Sequence, residues 1–484
     1  VLNYRISIKF LSILVLFNGA FMLLTVLAAL FYDEHLISEL LVSSGILLVI
    51  GTSMFLATRK AEGKNLKKRE GLFVVVAGWF TMALFGTLPY LLTGTIDNFS
   101  NAFFETMSGF TTTGASILDD IESLPNSILL WRSLTQWIGG MGIIVLAVAV
   151  LPILGIGSVQ LFAAEAPGLS PDKISPRITD TARRLWLLYI GLTLVEMLLL
   201  RVGGMSFFDS LNHALTTVST GGFSTKQASI AHYNSAFIEY VVSIFMFLGG
   251  MNFILIYFLT RLQWSKLRKN GEFRFYAGIV ITFVLLVTIA LTVRSGGHIE
   301  ENFRHSLFQV ISMISTTGFC TADYTTWGSG LTMFFFLLLF AGGSAGSTSG
   351  GVKMVRHLIL FKIGRTELKR QMHPNAVIPL KINGKILPDG LKGTVLGFII
   401  SYIIIFAISS IALSAMGIGF DTAIGAVATS LGNVGPGISE VGPAFNFNFI
   451  PDAGKWLLAF LMLIGRLEIF TVLLLFSPVF WKMN

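Results

Sequence analysis

The sequence predicts an all-α polytopic membrane protein. Two leading transmembrane helices precede four repeats of spanning helix, short pore helix and second spanning helix, arranged with pseudo-fourfold symmetry around one pore. Three observations predict this fold: the composition, the alternation of charge between loops, and a short glycine-bearing segment that recurs four times. Apolar residues make up 54% of the 484 and charged ones 12%, where soluble chains carry roughly 25% charged residues. Mean hydropathy is +0.76. The apolar residues fall in runs such as 10–29, 40–56, 396–413 and 456–476. Runs of about 20 residues suffice to cross the hydrocarbon core as helices.

The net charge of +8 suggests nucleic acid until the basic residues are located. They sit in alternate loops. Arg59, Lys60, Lys64, Lys67, Lys68 and Arg69 form one cluster, Lys173, Arg177, Arg183 and Arg184 a second, Arg261, Lys266, Arg268, Lys269 and Arg274 a third, and residues 353–392 hold the fourth. The loops between them carry acids instead: Asp33, Glu34, Asp97, Asp119, Asp120, Glu122, Glu300, Glu301 and Asp323. This is the positive-inside pattern. It puts the basic loops and both termini in the cytoplasm, and it excludes a nucleic-acid role. The one cysteine, Cys320, permits no intrachain disulfide. The first apolar segment has no small-residue cleavage pattern and exceeds a signal sequence in length, so a retained helix is expected; the chain starts at Val1, so an initiator region is expected ahead of it.

The recurring segments are TTTGAS at 111–116, STGGFS at 219–224, STTGFC at 315–320 and NVGPG at 433–437. Gly114, Gly222, Gly318 and Gly435 come into register at intervals of about a hundred residues, which marks one unit used four times. Four copies can surround an axis, and rings of backbone carbonyls can replace the water shell of a monovalent cation. The filter candidates are Thr112, Thr113 and Gly114; Thr220, Gly221 and Gly222; Thr316, Thr317 and Gly318; and Asn433, Val434 and Gly435. Main-chain oxygens would coordinate the ion. Glycine suits a place where strands converge and φ is positive. The bland alternative is four ordinary turns.

Before each filter lies a half-apolar stretch, at 99–110, 207–218, 302–314 and 420–430, too short to span. These are expected to be re-entrant helices that aim the partial negative charge of their C-terminal ends at a cation. The extended return from each must be wrapped by protein or line water, because irregular backbone cannot face lipid. The leading spans are expected at 10–32 and 37–58, the first spans of the repeats at 71–94, 185–202, 275–293 and 391–416, and the second spans at 129–154, 237–259, 331–362 and 454–476. The expected divisions are 1–70 for the leading helices and 71–180, 181–270, 271–385 and 386–484 for the four repeats. Each second span has a landmark 24 to 30 residues after the filter glycine: Gly139-Gly140, Gly249-Gly250, Gly342-Gly343 and Gly465-Arg466. Close packing of small residues between helices is the plainer account of these pairs.

This architecture resembles the membrane subunit of bacterial Trk-type potassium uptake systems, in the superfamily that also holds the Ktr subunits and plant high-affinity potassium transporters. The resemblance covers essentially the whole chain. It rests most specifically on the four filters and on AGGSAGSTSGGVK at 341–353; the two leading helices favour the Trk branch. It implies potassium conduction, with potassium as substrate and no covalently bound cofactor. It also implies a homodimer with one pore per chain in the bacterial inner membrane, and a cytosolic, TrkA-like ring of regulatory subunits that alone binds nucleotide. Short filters should discriminate less sharply against sodium than the longer potassium-channel loop. In plant relatives serine at the first filter glycine goes with sodium transport, so Gly114 favours potassium.

The stretch 341–351 interrupts an apolar span with glycine and serine, which suits the lining of a cavity or a simple kink. By the resemblance it is a gate loop, with Gly342, Gly343, Gly346, Gly350 and Gly351 giving it freedom. Arg466 lies midway in an apolar run, where a guanidinium needs water or polar partners. It is expected under the filter, donating to gate-loop carbonyls and repelling cations, with an ion pair to Glu468 as the alternative. His213 and His305 are expected to be structural, and Cys320 to be a small packing residue. The acidic loops are expected either to concentrate cations at the mouth or to be ordinary solvated loops. Gly342 to Gly346 matches G-x-S-x-G, yet no histidine sits mid-span to serve as base, and a phosphate loop lacks its Gly-Lys-Ser/Thr ending. A symporter coupled to sodium or protons is the main alternative. Glu105 and Glu196 are the acids to watch.

Overall fold

The computed structural model describes residues 3–61, 68–145, 178–376, 378–383 and 385–482. The leading helices, Tyr4–Phe31 and Ile37–Thr58, pack as an antiparallel pair. Small residues bring them close, as expected where lipid removes the usual hydrophobic drive between helices: Gly19 lies against Leu47, and Gly51 against Leu16. The Ser44 hydroxyl donates to the Gly19 carbonyl at 2.9 Å. The pair leans on the first repeat, where the Asn18 amide donates to Met82 O at 3.2 Å.

The first spans of the repeats are Lys68–Gly86 with its short continuation Leu88–Leu92, then Ile178–Val202, Gly271–Ser295 and Asp389–Ala415. Their outward stripes are bare and apolar at helical spacing, as in Leu187, Leu194 and Leu198 or Ile281, Leu285 and Ile289. In a membrane these stripes meet acyl chains.

The pore helices are Phe99–Phe110, Phe207–Val218, Ile299–Ile314 and Phe420–Gly432. At 12 to 16 residues they reach about 18–24 Å, short of a hydrocarbon core of about 30 Å. Side chains start the first two: Asn98 accepts from Ser100 N and Asn101 N, and Ser206 from Asp209 N. Their inner halves are buried although rich in Ser and Thr. Hydroxyls there bond back to the preceding turn, as Thr106 does to Ala102 O and Thr217 to His213 O.

The second spans depart from the sequence expectation. The first is helical over Asn126–Val145; the remainder of its expected length, like Lys173 and Arg177, lies outside the described residues. The expected continuous helix at 237–259 is instead Ala236–Gly249 and Phe253–Thr260, bent by 114°. That at 454–476 is Asp452–Leu467 and Ile469–Phe476, bent by 117°. That at 331–362 is split into Ser329–Leu338 and Met354–Met372 by an irregular stretch. Competing partners explain the breaks. Gly249 and Gly250 give their carbonyls to Thr348 N and Ser344 N, and Asn252 caps a new helix by accepting from Ile254 N. Glu468 adopts φ +64° and turns its carboxylate to Arg356. Past Met372, a two-stranded hairpin of Lys381–Ile382 and Lys385–Ile386 leads into the fourth repeat.

Candidate ion pathway

The four filter segments share one backbone conformation. Thr112, Thr220, Thr316 and Asn433 have φ between 52° and 57°, and two residues on, Gly114, Gly222, Gly318 and Gly435 have φ of 82°, 79°, 81° and 103°. Non-glycine residues visit the left-handed region rarely, so its recurrence at one register in four segments is a property of the unit. The segments also meet in a ring. A Cβ on Gly114 would fall on the Gly221 carbonyl oxygen, one on Gly222 on Thr317 O, one on Gly318 on Val434 O, and one on Gly435 within 2.8 Å of Thr113 O. Each glycine therefore admits the next repeat's backbone, and the fourth returns to the first.

Side chains hold this backbone from behind. The hydroxyls of Thr111 and Thr113 pair at 2.8 Å, as do those of Ser315 and Thr317. The Asn433 amide donates to Thr113 Oγ1 at 3.0 Å and to Met462 O at 2.9 Å. The glycine pairs of the second spans let these helices close on the filters: Gly139 lies against Phe110 O, Gly140 against Ser219, Gly250 against Ser315 and Gly465 against Leu431 O. Close packing is what the geometry gives these pairs.

Under the ring lies the glycine- and serine-rich loop. The Thr348 hydroxyl bonds to Val218 O at 3.0 Å, to Gly249 O at 3.1 Å and to the Thr220 hydroxyl at 3.3 Å. Gly350 N donates to Thr316 Oγ1 at 2.7 Å, and a Cβ on Gly350 would meet that of Asn433 at 2.6 Å. The loop thus touches the innermost filter residue of three repeats. Arg466 donates to Thr348 O at 2.6 Å and to Gly139 O at 2.9 Å, so it ties the loop across to the first repeat. Glu468 pairs with Arg356 at 2.7 Å. Gly342 and Gly343 sit at the near end of the loop against Gly350 and Gly250, and Gly351 turns back on Ala341 O. Gly346, with φ +74°, lies beside Asn252, whose amide donates to Ala345 O at 2.6 Å; Glu272 accepts from Ala345 N at 2.7 Å.

His213 bridges Asp209 O at 2.8 Å and the Ser224 hydroxyl at 2.9 Å, and His305 reaches Thr321 Oγ1 at 3.2 Å. Cys320 is buried, its sulfur 3.6 Å from Gly318 O. At the outer mouth Asp119 accepts from Asn446 and Asn448, and Glu122 pairs with Lys226, so these acids brace one loop against another.

Sequence reasoning singled out Glu105 but missed the layer behind the filter to which it belongs. Glu105 and Arg132 form a buried ion pair at 2.9 Å, and Arg132 also donates to Ser224 O at 3.1 Å and lies over Phe223. Gln136, one turn on, reaches the same segment. The signal was available, since Arg132 and Gln136 are polar residues four apart inside an apolar run. Asn252 and Glu272 gave less warning, because each reads as a helix cap or a solvated end.

A helical membrane protein in which four re-entrant units bring backbone oxygens into one closed ring, above a loop held by an arginine, has the build of a cation pathway. Comparison with known proteins agrees: the chain belongs to the TrkH family, described as cation transport proteins, whose model matches residues 38–483. It is similar to the Trk system potassium uptake protein TrkH of Escherichia coli K12, at 40% identity over 99% of this chain and 100% of that one. The Halomonas elongata protein of the same description is 37% identical, over 99% of this chain and 100% of that one. Among solved structures, the crystal structure of the potassium transporter TrkH from Vibrio parahaemolyticus matches with a TM-score of 0.89 and 36% identity, covering 99% of this chain and 100% of that one. The chain is accordingly a multi-pass membrane transport protein and not an enzyme.

Proposed function

We propose that this chain is the membrane subunit of a potassium uptake system. Potassium passes a filter formed by the carbonyls of Thr112 to Gly114, Thr220 to Gly222, Thr316 to Gly318 and Asn433 to Gly435. The observation that carries this is the closed ring in which each filter glycine admits the carbonyl of the next repeat. The similarity to potassium uptake proteins supports the choice of ion. Residues 341–351 and Arg466 form the gate. In the closed state the guanidinium stabilises the loop under the filter and repels an approaching cation. The protein works as a homodimer in the bacterial inner membrane with both termini in the cytoplasm. A cytosolic regulatory ring binds nucleotide and releases the gate; this subunit binds none.

The test is rubidium uptake into liposomes holding the purified protein, driven by a potassium gradient, with sodium and lithium as competitors and Gly114→Ser in parallel. Uptake blocked by potassium more than by sodium is expected, and Gly114→Ser, whose Cβ would fall on the Gly221 carbonyl oxygen, should lose uptake or its preference for potassium. No uptake, with the regulatory ring also present, would remove conduction from these segments.

One observation keeps a second reading, symport with sodium or protons. Glu196 is wholly buried within a span beside the second pore helix, with no salt bridge among the described residues. Coupling predicts that an imposed gradient of the second ion drives potassium uphill against its own electrochemical gradient at a clamped potential, whereas uncoupled conduction predicts none.

A further inference from the structure

The four filters share a backbone, yet the second is supported differently. At the position before the filter glycine the repeats carry Thr113, Gly221, Thr317 and Val434. In the first and third, that threonine pairs with the hydroxyl two residues earlier. In the fourth, Asn433 bonds across to the first repeat and to Met462. The second has neither device. Gly221 has no side chain, and the Ser219 hydroxyl bonds back into its own helix at Thr216 O.

Gln136 occupies the space that a side chain at 221 would fill. It is fully buried; its amide donates to Gly221 O at 2.7 Å and its carbonyl accepts from Phe223 N at 2.9 Å. A Cβ on Gly221 would fall on the Gln136 carboxamide. In register with the glycine pairs, the positions equivalent to Gln136 hold Met246, Leu339 and Met462. Carried over by that register alone, the pairs corresponding to Gln136 and Gly221 are Met246 with Thr317, Leu339 with Val434, and Met462 with Thr113. Only the pair of Gln136 with Gly221 inverts the pattern, with the polar side chain on the helix and none on the filter.

We propose that Gln136 is a positioning residue for ion selection. With Gly221 it forms a complementary pair that replaces, from outside the second filter, the hydroxyl clamp built into the first and third. This rests on the filter reading above. A glycine pair at 221–222 is conformationally loose, and the Gln136 amide fixes the direction of one ring oxygen. It also donates into that oxygen and so draws on the electron density offered to an ion. Discrimination between potassium and sodium depends on the geometry and field strength of such oxygens, so Gln136 acts on selectivity.

The experiment compares wild type, Gln136→Met, Gly221→Thr and the double variant as full-length protein in liposomes. The readout is the ratio of sodium to potassium concentrations that halve rubidium uptake. Loss of one neutral hydrogen bond corresponds to about a fivefold change, so Gln136→Met should lower the ratio by about that factor. Gly221→Thr should abolish uptake, because the new side chain meets the carboxamide. The double variant reproduces the Met and Thr pairs of two of the other three interfaces and should recover uptake, with a ratio nearer wild type than either single variant. An unchanged ratio in Gln136→Met, or a double variant no better than the worse single, overturns the proposal. Size-exclusion profile and thermal stability of all four are recorded in parallel. If a single variant does not fold, recovery of folding in the double supports the pair and failure of both overturns it. A wild type with no ion preference would instead sink the filter reading, while the stability coupling of 136 with 221 still decides the pairing.

Discussion

The outer and inner halves of the pathway are built on different rules. At the filter, four chain segments of different sequence adopt one backbone, and the glycines that let them meet are equivalent around the ring. Below it, the loop at 341–351 comes from a single repeat, and the groups that hold it, Thr348, Arg466, Asn252 and Glu272, have no counterparts around the axis among the described residues. On the proposed function, repetition is kept where an ion would meet equivalent oxygens from all sides, and dropped where one obstruction would be enough. Substitutions of the filter glycines should therefore act in the same direction in every repeat, graded by how closely the neighbouring carbonyl approaches, and those in the inner half should act singly and in the opposite direction.

The largest effect is expected at the filter glycines. Gly222→Ala and Gly318→Ala place a methyl on a neighbour's carbonyl, in a region of φ that costs an L-residue about 1–2 kcal/mol before any clash. Rubidium uptake should fall to background with protein still present in the membrane. Gly435→Ala, with its nearest oxygen at 2.8 Å, should retain more. Uptake above half of wild type in the first two would detach the ring from the pathway and dissolve the contrast between the halves.

Next comes the buried pair of Glu105 and Arg132. Removing one partner of such a pair leaves an uncompensated charge and costs about 3–5 kcal/mol. Glu105→Gln should sharply lower the yield of monodisperse protein and its thermal stability in detergent. Glu105→Gln together with Arg132→Met should be milder than Glu105→Gln alone. Equal damage from the single and double variants would mean that the charge matters less than the shape.

How far this was legible from sequence follows the same division. The pore helices were readable to within a few residues, because their apolar half-length and the glycine register are local signals. The filter residues carry their φ pattern in the sequence as a repeated glycine. The position of Arg466 could be inferred because a guanidinium in an apolar span has few tolerable surroundings. The breaks at Gly250 and Glu468 were not legible. Both 237–259 and 454–476 are apolar enough overall to read as single spans, and the bends arise only when a distant loop claims backbone carbonyls or a distant arginine claims a carboxylate. Asn252 and Glu272 escaped for that reason too: their partners lie 93 and 73 residues away.

Arg466→Ala tests the inner half in the opposite direction. It removes two charge-assisted hydrogen bonds, each worth about 1.5–3 kcal/mol where the groups are buried. Flux in the absence of any regulatory partner should rise by about tenfold or more. Deletion of residues 346–350 should do the same. Unchanged flux in both would take the loop and the arginine out of the gate and leave the ring as the only feature that controls passage.

The smallest effect should come from the far side of the loop. Asn252 and Glu272 grip Ala345 by its carbonyl and its amide, from the two ends of the segment joining the second repeat to the third. Asn252→Ala loses that bond and the cap on Phe253–Thr260, worth about 1 kcal/mol, and should raise partner-independent flux about threefold to fivefold. Glu272→Gln keeps an acceptor for Ala345 N and loses only charge assistance, so its rise should be less than about threefold. If both variants match Arg466→Ala, the loop is held equally at each end and opens as a unit. If neither moves flux while Arg466→Ala does, the hold on the loop lies at Thr348 alone, where it touches both the filter and the arginine.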